Sequence, residues 1–433
     1  MATLNELAAQ VVAHANTITE VLTKQSIPSP SFAADGPSGL PRGPEYRDLQ
    51  KTRLALIDAA RAIEHLATGP EDWIKWHTLT LIYDSFALSA LAHFDVFAAV
   101  PLDGVISYTD LGAKVGLSEN RIRRIIRQAM TSHIFTEPRP GYIAHTATSA
   151  LLVKIPSLQS FIGHNTEDGG PASVKVIEAI EKWGDSEEPA ESGFGIAFGL
   201  DTKNGKDSVF RFVAEDGEGE KKGFRMKRIG HAMESVKGDG AYDVAYCHQG
   251  FDWDSLGKAT VIDLGGSIGH LSIEIASKHP DLKCIVQDFP ELLQNFEDLR
   301  PESLADRVTF QGHDIFTPQP IKDADAYVFR LVHHDWPDSY CVQMLQQIVQ
   351  VMKTGSRIII IDAVMDNWSD VKSIAMDRMI TSADLHMMAM MNAKERMRED
   401  WISIFERTTP KLKAKAFVKP EGSALGFIEV VKA

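Results

Sequence analysis

The chain has 433 residues, of which 44% are hydrophobic and 24% are charged, a balance typical of a folded protein with a large core. Its length suggests about two or three domains. The formal net charge of −14 argues against a nucleic-acid partner, which requires a broad basic face, and against an anionic membrane surface.

The sequence carries no pattern of export, membrane insertion or metal binding. The start MATLNE lacks the basic and apolar regions of a signal peptide, and no run of about 20 apolar residues follows. Cys247, Cys284 and Cys341 are too widely spaced for a zinc pattern or a disulfide framework. We therefore expect a cytoplasmic protein that binds no metal and does not enter a membrane.

The first 100 residues predict helices interrupted by an arm. LNELAAQVVAHANTITEVL has apolar residues at helical spacing, whereas QSIPSPSFAADGPSGLPRGPE is rich in Pro, Gly and Ser. From residue 46 to about 100 the pattern is helical again, with an apolar density too high for solvated helices. This surface should pack against another element or a second copy, so we expect a homodimer.

The next segment predicts two helices and a hairpin. In SYTDLGAKVGLSENRIRRIIRQAMTSHIFTEPRPGYIAHT, a helix begins near Thr109, Gly116 makes a turn, Ser118 caps a second helix, and two short strands flank a Pro-Gly turn. The pattern is that of a winged helix. It allows DNA binding through RIRRIIR or a purely structural role, and the acidic charge of the chain favours the structural role. Beyond it, the charged, Gly-rich stretch 203–223 is predicted to be an exposed loop.

The pattern changes near residue 240, where short apolar runs begin to alternate with helical segments. The runs ATVIDL, KCIVQD, RVTFQ, AYVFRLV and RIIIIDAV predict five parallel strands of a doubly wound sheet. The last two candidates, LKAKAFVK and ALGFIEVVK, are joined by a short turn, so the last strand should run antiparallel. We expect an α/β domain at 241–433, a mainly α winged-helix dimerisation and lid domain at 46–240, and an N-terminal helix and arm at 1–45.

Three interpretations of VIDLGGSIGHLSIEIASKHP compete. A dinucleotide loop requires G-x-G-x-x-G, but counted from Gly265 the third and sixth positions are Ser267 and His270. A nucleophile elbow fits GGSIG, yet a hydrolase needs a histidine after the last strands, and the last histidine is His386. An S-adenosylmethionine loop joins an acidic strand end, here Asp263, to a run of small residues, and it explains most of the segment.

Two further strand ends fit the third interpretation. Asp288 ends the next strand, where a carboxylate can accept hydrogen bonds from both ribose hydroxyls. Asp314 and Phe316 follow the third strand, where they can bond an adenine amino group and cover its ring. An ordinary polar loop explains Asp314 and Phe316 equally well on this stretch alone.

The adjacent histidines of AYVFRLVHHDWP raise the question of which one does chemistry. If the strand continues through the pair, alternation places Arg330 and His334 on one face and His333 on the other. Ligands of open sheets bind beyond the carboxyl ends of the strands, so His334 should face the cleft and His333 should pack inside. Asp335 and Pro337 are predicted to begin the following helix as its cap and first-turn residue.

Two carboxylates are expected beside His334. Asp362 ends the strand RIIIID, and Glu395 is predicted to open a helix further along. A histidine between carboxylates has a fixed tautomer and increased basicity, as a general base requires.

The chain resembles the plant and fungal O-methyltransferases that act on phenolic and polyketide natural products. The stretches GFDWDSLGKATVIDLGGSIGHLSIEIASKHPDLKCIVQDFPELL, GHDIF, FRLVHHDWPDSYC and AKERMREDW have the order and spacing of that family. The resemblance covers nearly the whole chain and is most specific over 248–400, whereas the arm and the insert near 203–222 fall outside it. It implies that the winged-helix segment is a dimerisation module.

The resemblance also implies roles for particular residues. His334 would be the general base, oriented by Asp362 and Glu395, with Asp362 where the plant proteins more often have Glu. Substrate would contact Asp384 and Met388 in SADLHMMAMMNAKER, and His133 before the hairpin is a further candidate. S-adenosyl-L-methionine would be bound by Gly265, Gly266, Asp288, Asp314 and Arg330.

Three functions remain open at this point. The favoured one is an S-adenosylmethionine-dependent O-methyltransferase acting on a hydroxyl of a small aromatic or polyketide-like substrate. Some fungal relatives resembling this family keep the cofactor but catalyse dehydration or cycloaddition without methyl transfer, which makes a pericyclase the alternative. A DNA-binding regulator is disfavoured by the acidic charge.

Overall fold

A computed structural model describes residues 2–202, 206–237 and 240–433. The chain forms two compact units. The helical unit comprises the residues up to Pro171 together with Phe212–Val236 and Ser373–Met376, and the sheet unit comprises Ala172–Arg211, Lys237–Lys372 and Asp377–Ala433. This division differs from the predicted segments 1–45, 46–240 and 241–433.

Contacts within the sheet unit explain why residues before 240 belong to it. The Ser192 hydroxyl donates to the Met390 carbonyl, at 3.0 Å. The Asn392 side-chain amide donates to the carbonyls of Glu188 and Glu191. The segment near residue 190 is therefore tied to the end of a helix two hundred residues later, a pairing that no local sequence pattern indicates.

The helical unit begins with the predicted helix and arm. Its helices before residue 171 pack partly on an apolar core around Leu91, Phe97 and Ile126. A π-helical turn, His164–Gly169, ends this run. The helices are α1 (Leu4–Lys24), α2 (Arg47–Thr68), α3 (Pro70–His93), α4 (Val96–Ala99), α5 (Tyr108–Val115), α6 (Glu119–Met130), α7 (Ala147–Lys154) and α8 (Pro156–Gly163).

The two helices and the hairpin of the helical unit lie where the sequence predicts them. Ser107 caps α5, Gly116 ends it with a φ of 71°, and Ser118 caps α6. Three short antiparallel strands follow the order β1-β3-β2. They are β1 (Ile106–Ser107), β2 (Thr136–Arg139) and β3 (Tyr142–Ala144).

The prediction of an exposed loop over 203–223 is wrong for much of its length. Residues 203–205 lie outside the described residues, but Lys206–Glu215 form a helix. The apolar side chains of Val209 and Val213, one helical turn apart, are both 3% exposed and anchor that helix. The apolar stripe is only two residues long and lies in a charged sequence, so the local pattern does not indicate a helix. The further helices of this region are α9 (Gly170–Ser173), α10 (Val176–Trp183), α11 (Gly193–Phe198), α12 (Lys206–Glu215) and α13 (Phe224–Lys237).

The sheet has seven strands in the order β11-β12-β8-β7-β4-β5-β6, and β12 pairs antiparallel with both of its neighbours. The predicted fold class, a mostly parallel doubly wound sheet with an antiparallel last strand, is confirmed. The inner strands β7 and β8 are apolar and buried along nearly their whole length, as expected of parallel strands covered on both faces. The seven strands are β4 (Ala259–Leu264), β5 (Leu282–Asp288), β6 (Val308–Gly312), β7 (Ala326–Arg330), β8 (Arg357–Asp362), β11 (Leu412–Val418) and β12 (Gly426–Lys432).

A two-stranded parallel ribbon lies beyond the end of β8. It joins β9 (Val364–Met365) to β10 (Arg396–Met397).

No helix in the described part of the chain has the length and apolar content needed to cross a membrane. The α-helices after residue 240 are α14 (Cys247–Gly250), α15 (His270–Lys278), α16 (Leu293–Leu299), α17 (Asp338–Val349), α18 (Ile374–Met391) and α19 (Arg398–Glu406).

Candidate active site

The predicted site residues lie along one edge of the sheet. Asp263 is the penultimate residue of β4, while Asp288, Arg330 and Asp362 are the last residues of β5, β7 and β8. These four strands are consecutive neighbours in the sheet, and parallel strands bring their carboxyl ends to the same edge. The topology therefore assembles groups that are up to 100 residues apart in sequence.

The glycine loop after β4 is packed too tightly for side chains. A Cβ on Gly266 would lie 2.7 Å from Cγ of Asp263, and a Cβ on Gly265, whose φ is +65°, would lie 2.8 Å from a methyl of Val332. Ser267 has a φ of 52°, and its backbone N–H donates to the Asp288 carboxylate at 2.7 Å. The loop thus fixes the carboxylate that ends the next strand, and packing against Asp263 and Val332 requires glycine at both positions.

Asp263 lies beneath this loop as a buried carboxyl. One oxygen accepts a hydrogen bond from the Ser272 hydroxyl at 2.7 Å, and the other has no hydrogen-bond partner among the described residues. Burial outweighs this bond and raises the pKa of Asp263 to about 6. The tight loop and the unpaired buried oxygen fit a site that a polar ligand completes.

Asp314 and Phe316 occupy one short loop after β6. The Asp314 carboxylate accepts from the Phe316 backbone N–H at 2.9 Å, and the Phe316 ring meets Trp336 edge-on at 4.6 Å between centroids. Arg330 donates through its guanidinium to the Tyr242 carbonyl at 2.5 Å. These positions suit the predicted cofactor edge, and their roles there stay predictions.

The predicted course of the chain after β7 is wrong in detail. The strand ends at Arg330, Leu331 takes a left-handed φ of 55°, and His333–Asp335 form a 3-10 turn. Helix α17 begins only at Asp338, with Pro337 at the N-cap position. Asp335 is therefore not the helix cap that the sequence predicts. The alternation argument fails beyond Arg330 because the extended backbone ends there.

His334 nevertheless lies at the edge of the site, and His333 is buried. The His334 side chain is 20% exposed, and its Nδ1 lies 2.9 Å from Oε1 of Glu395, a carboxylate that is only 5% exposed. Its Nε2 lies 3.6 Å from the Asp335 carboxylate. When His334 is neutral, the contact with Glu395 favours the tautomer that carries its proton on Nδ1, so that Nε2 is the basic nitrogen.

Opposing effects set the proton affinity of His334. Burial disfavours the charged imidazolium, but the negative charges of Asp335, Glu395 and Asp362 outweigh burial and raise the pKa of His334 to about 10. His333 has the opposite environment. It is fully buried against Phe329 and Trp401, and burial holds its pKa well below the usual range. The side chain of His333 therefore packs in the core as the sequence predicts.

The two predicted orienting carboxylates contact different groups. Glu395 bonds His334 directly, although it lies just before β10 rather than opening a helix. The Asp362 carboxylate accepts from the backbone N–H of His333 at 3.2 Å, and burial raises its pKa to about 7. Asp362 thus supports the turn and acts on His334 through its charge, so an orienting hydrogen bond from Asp362 stays a prediction.

The predicted substrate residues fall in both units. Asp384 and Met388 lie half-buried on α18, and the Asp384 carboxylate accepts from the Glu395 backbone N–H at 2.8 Å. His133 belongs to the helical unit, where its ring stacks on Phe32 at 4.1 Å between centroids. Asp384 therefore holds the segment that carries Glu395, and substrate contact by these three residues stays a prediction.

Sequence reasoning missed two residues at this site. Asp335 had been assigned to a helix cap, whereas its carboxylate faces His334. Arg396, the neighbour of Glu395, is 1% exposed and donates to the carbonyls of His333 and Trp336. An arginine in the charged run AKERMRED gives no local signal of burial, so only the tertiary structure identifies it.

Comparison with known proteins places the chain in a family. The family model of an O-methyltransferase domain matches residues 249–409. The "O-methyltransferase bik3" of Gibberella fujikuroi is 33% identical over 96% of this chain and 90% of its own length. The "Chlorophenol O-methyltransferase" of Trichoderma longibrachiatum is 30% identical over 98% of this chain and 89% of its own length. The chain belongs to the O-methyltransferase family, and the prediction of an O-methyltransferase is confirmed.

Solved structures share the fold at lower identity. OxaC in complex with SAH and oxaline is 20% identical with a TM-score of 0.73, and the match covers 99% of both chains. A structure described as "A Pericyclic Reaction enzyme" is 19% identical with a TM-score of 0.72 and covers 98% of this chain and 99% of that one. These likenesses extend over the whole chain and concern the fold alone.

The contact between His334 and Glu395 generates a first prediction. Substitution Glu395→Gln removes the nearest negative charge and disfavours the imidazolium, so the His334 pKa should fall from about 10 by about one unit or more. A ¹³C NMR titration of labelled histidine measures it, with the signal assigned by its loss in His334→Gln. Glu399→Gln, at an exposed position four residues away, is the control and should leave the titration unchanged. An unchanged His334 titration in Glu395→Gln would contradict the assignment.

Proposed function

We propose that the protein methylates a phenolic or enolic hydroxyl of a fungal-type secondary metabolite, with His334 as general base. The observation that carries this proposal is the 2.9 Å contact between His334 Nδ1 and buried Glu395, which leaves Nε2 at the partly exposed edge of the sheet. The glycine loop and the Asp288 carboxylate lie at the same edge. A base and a cofactor-binding loop on the same edge of the sheet suit the transfer of a group from a cofactor to a second substrate.

The methyl donor is S-adenosyl-L-methionine, as the sequence predicts. When bound, it supplies an electrophilic methyl group. We infer that the loop at Gly265 and Gly266 holds it, as the resemblance implies, and that Asp288 accepts from its ribose. Asp263, Asp314, Phe316 and Arg330 complete the proposed set at neighbouring strand ends. The unpaired buried oxygen of Asp263 supports this assignment.

The residues of the chain contribute positioning and proton removal. Holding the acceptor oxygen in line with the methyl carbon contributes roughly 7–11 kcal/mol through effective molarity. His334 Nε2 accepts the hydroxyl proton as the bond forms, which typically adds about 10²–10⁴-fold. A phenol has a pKa of about 10, which matches the His334 pKa of about 10, so proton transfer between them is nearly balanced. Glu395 stabilises the imidazolium that results.

The proposed substrate class rests on helix α18, which is linked to the segment of Glu395 through Asp384. Helix α18 contributes methionines, including Met388, whose flexible thioethers suit a flat aromatic ligand. Asp384 and His133 remain the other proposed substrate contacts. A relative named for chlorophenol supports a phenolic acceptor.

We also propose that the protein is cytoplasmic and that it has no nucleic acid as a partner.

The alternative function is that of a pericyclase. A structure described as "A Pericyclic Reaction enzyme" has a TM-score of 0.72 against this chain, so the fold is compatible with a reaction other than methyl transfer. The His334–Glu395 pair favours methyl transfer, because a cycloaddition requires no base matched to a phenol. A test of the product decides between them.

Removal of the base should stop transfer without removing the cofactor. We expect His334→Ala to lower turnover by about 10²–10⁴-fold while cofactor affinity changes less than about threefold. Isotopic methyl transfer from labelled S-adenosylmethionine to a panel of phenolic polyketides measures turnover, and calorimetry measures affinity. Transfer by the wild type should rise with pH toward about 10, because neutral His334 becomes more abundant.

The control and the contrary outcomes are distinct. His231→Ala, at an exposed position on α13, should leave transfer unchanged. Label transfer by His334→Ala at the wild-type rate would remove His334 from the mechanism. No label from the wild type, together with a substrate rearranged at unchanged mass or with loss of water, would establish the pericyclase instead.

A substitution in the glycine loop tests the cofactor pocket separately. The Gly266→Ala methyl would lie 2.7 Å from Cγ of Asp263, so the loop must shift and cofactor affinity should fall at least tenfold. Calorimetric titration with S-adenosylmethionine measures this change. Gly230→Ala is the control, because a Cβ there meets nothing within 4 Å. Equal affinity in both variants would show that the loop does not hold the cofactor.

We also propose a homodimer, with the helical unit, which contains the winged-helix segment, as its dimerisation module. Along α3, Leu79, Ile82 and Phe86 are 62%, 63% and 55% exposed, an apolar stripe that water disfavours. Size-exclusion chromatography with light scattering should give twice the chain mass. Ile82→Glu should shift it toward the monomer, while Ile402→Glu, in the sheet unit, should not. A wild-type monomer would refute the dimer.

A further inference from the structure

Arg396 is the most enclosed cation at the active site, and the proposed mechanism gives it no task. Its side chain is 1% exposed. A buried guanidinium is unfavourable unless hydrogen bonds and a counter-charge surround it. The contacts that compensate Arg396 therefore indicate what its burial achieves.

The first set of contacts goes to the turn that carries His334. One terminal nitrogen of Arg396 donates to the His333 carbonyl at 2.8 Å, and the other donates to the Trp336 carbonyl at 2.6 Å. These two carbonyls flank His334 and Asp335. The His333 carbonyl also accepts from the Trp336 backbone N–H at 3.1 Å, and the Cys341 thiol lies 3.4 and 3.5 Å from the His333 and Trp336 carbonyls. Arg396 adds a charged donor to each carbonyl, and hydrogen bonds to charged groups are the stronger ones. The planar fork of an arginine supplies both donors at once.

The second set of contacts goes to the segment that carries Glu395. Arg396 follows Glu395 directly, and its guanidinium also approaches the Lys394 carbonyl at 3.3 Å. The backbone of Arg396 belongs to β10, which pairs with β9 just beyond Asp362. One residue therefore joins the segments that hold His334, Glu395 and Asp362.

The counter-charge comes from the start of α17. The Asp338 carboxylate accepts from Nε of Arg396 at 2.9 Å and lies 3.1 Å from the Lys394 ammonium. The Trp401 ring lies 5.3 Å from the guanidinium carbon and covers it. These contacts fix the orientation of the fork toward the turn.

We propose that Arg396 is a positioning residue that holds the imidazole of His334 against the carboxylate of Glu395. It touches neither reacting group. It fixes the backbone on both sides of their 2.9 Å hydrogen bond, so that neither segment can move away from the other. The expected loss of kcat rests on the proposed function. The expected change in the His334 titration rests on the structure alone.

The test compares Arg396→Lys with Arg398→Lys. Lysine keeps the positive charge but cannot donate to both turn carbonyls and to Asp338 in one plane. Arg398 is exposed, stacks over Phe417 and makes no such link, so it is the matched control. Three measurements are made: an NMR titration of His334 with ¹³C label, steady-state kinetics that give kcat and KM for methyl transfer, and calorimetry that gives the affinity for S-adenosylmethionine.

We expect Arg396→Lys to lower kcat about 10- to 100-fold, with cofactor affinity within about twofold of the wild type. The His334 titration should move to lower pH, because Glu395 no longer stays beside the ring. The other negative groups facing His334 are Asp335, which lies on the same turn as the ring and moves with it, and Asp362, so the shift reports mainly the loss of the Glu395 contact. Arg398→Lys should match the wild type in all three measurements.

Several outcomes would overturn the proposal. An unchanged His334 titration in Arg396→Lys would do so, as would a loss of kcat that follows a parallel loss of cofactor affinity. If Arg396→Lys does not fold, Asp338→Asn, which removes the counter-charge, decides by the same criteria. Absence of methyl transfer by the wild type would refute the proposed function, whereas the NMR titration would still support or overturn the positioning role.

Discussion

The hydrogen bond between His334 and Glu395 is the interaction on which the site depends. It joins an irregular turn after β7 to a segment 61 residues later, and it places a carboxylate of 5% exposure against a ring of 20% exposure. In such surroundings a charge pair is stable only when its geometry is fixed. The sheet, the β9–β10 ribbon and the buried guanidinium of Arg396 all act on that geometry, which explains why so much polar structure lies beneath one histidine.

The same edge of the sheet separates two tasks. On the β4 and β5 side, the close-packed glycine loop holds the Asp288 carboxylate, where we propose that the cofactor binds. On the β7 and β8 side, charged groups surround the base. Arg330 ends β7, which lies between β4 and β8, and its charge interacts with Asp263 of β4 and Asp362 of β8. Parallel order of the strands makes this division possible, since each strand end contributes one group.

The sequence predicted the periodic parts of the structure well. The sheet, its antiparallel last strand and the helices of the first 100 residues follow from apolar spacing. The strand ATVIDL has the predicted bounds, whereas the run RIIIIDAV leaves the strand two residues early, at Asp362. The positions of Asp263, Asp288 and Asp362 at one edge follow from the strands themselves. The prediction that His334 is the more exposed histidine of the pair is correct. Its argument is not, because it assumes that the strand continues through both histidines, whereas the strand ends at Arg330.

The parts that local pattern could not predict depend on tertiary contacts. Leu331 takes a left-handed backbone that nothing in its own residue type suggests, and this turn gives Asp335 its place beside His334. The burial of Arg396 depends on carbonyls 60 residues away. Helix α12 lies in a run of charges that masks its two buried valines. Each case is decided by partners distant in sequence.

The central claim is that His334 Nε2 takes the proton of the hydroxyl that becomes methylated. A crystal structure of the protein with S-adenosylhomocysteine and its own methylated product tests this claim most directly. The new ether oxygen should lie within about 2.6–3.2 Å of His334 Nε2, with Nδ1 still hydrogen-bonded to Glu395. An ether oxygen beyond the reach of His334, with another side chain or no base beside it, would contradict this role of His334.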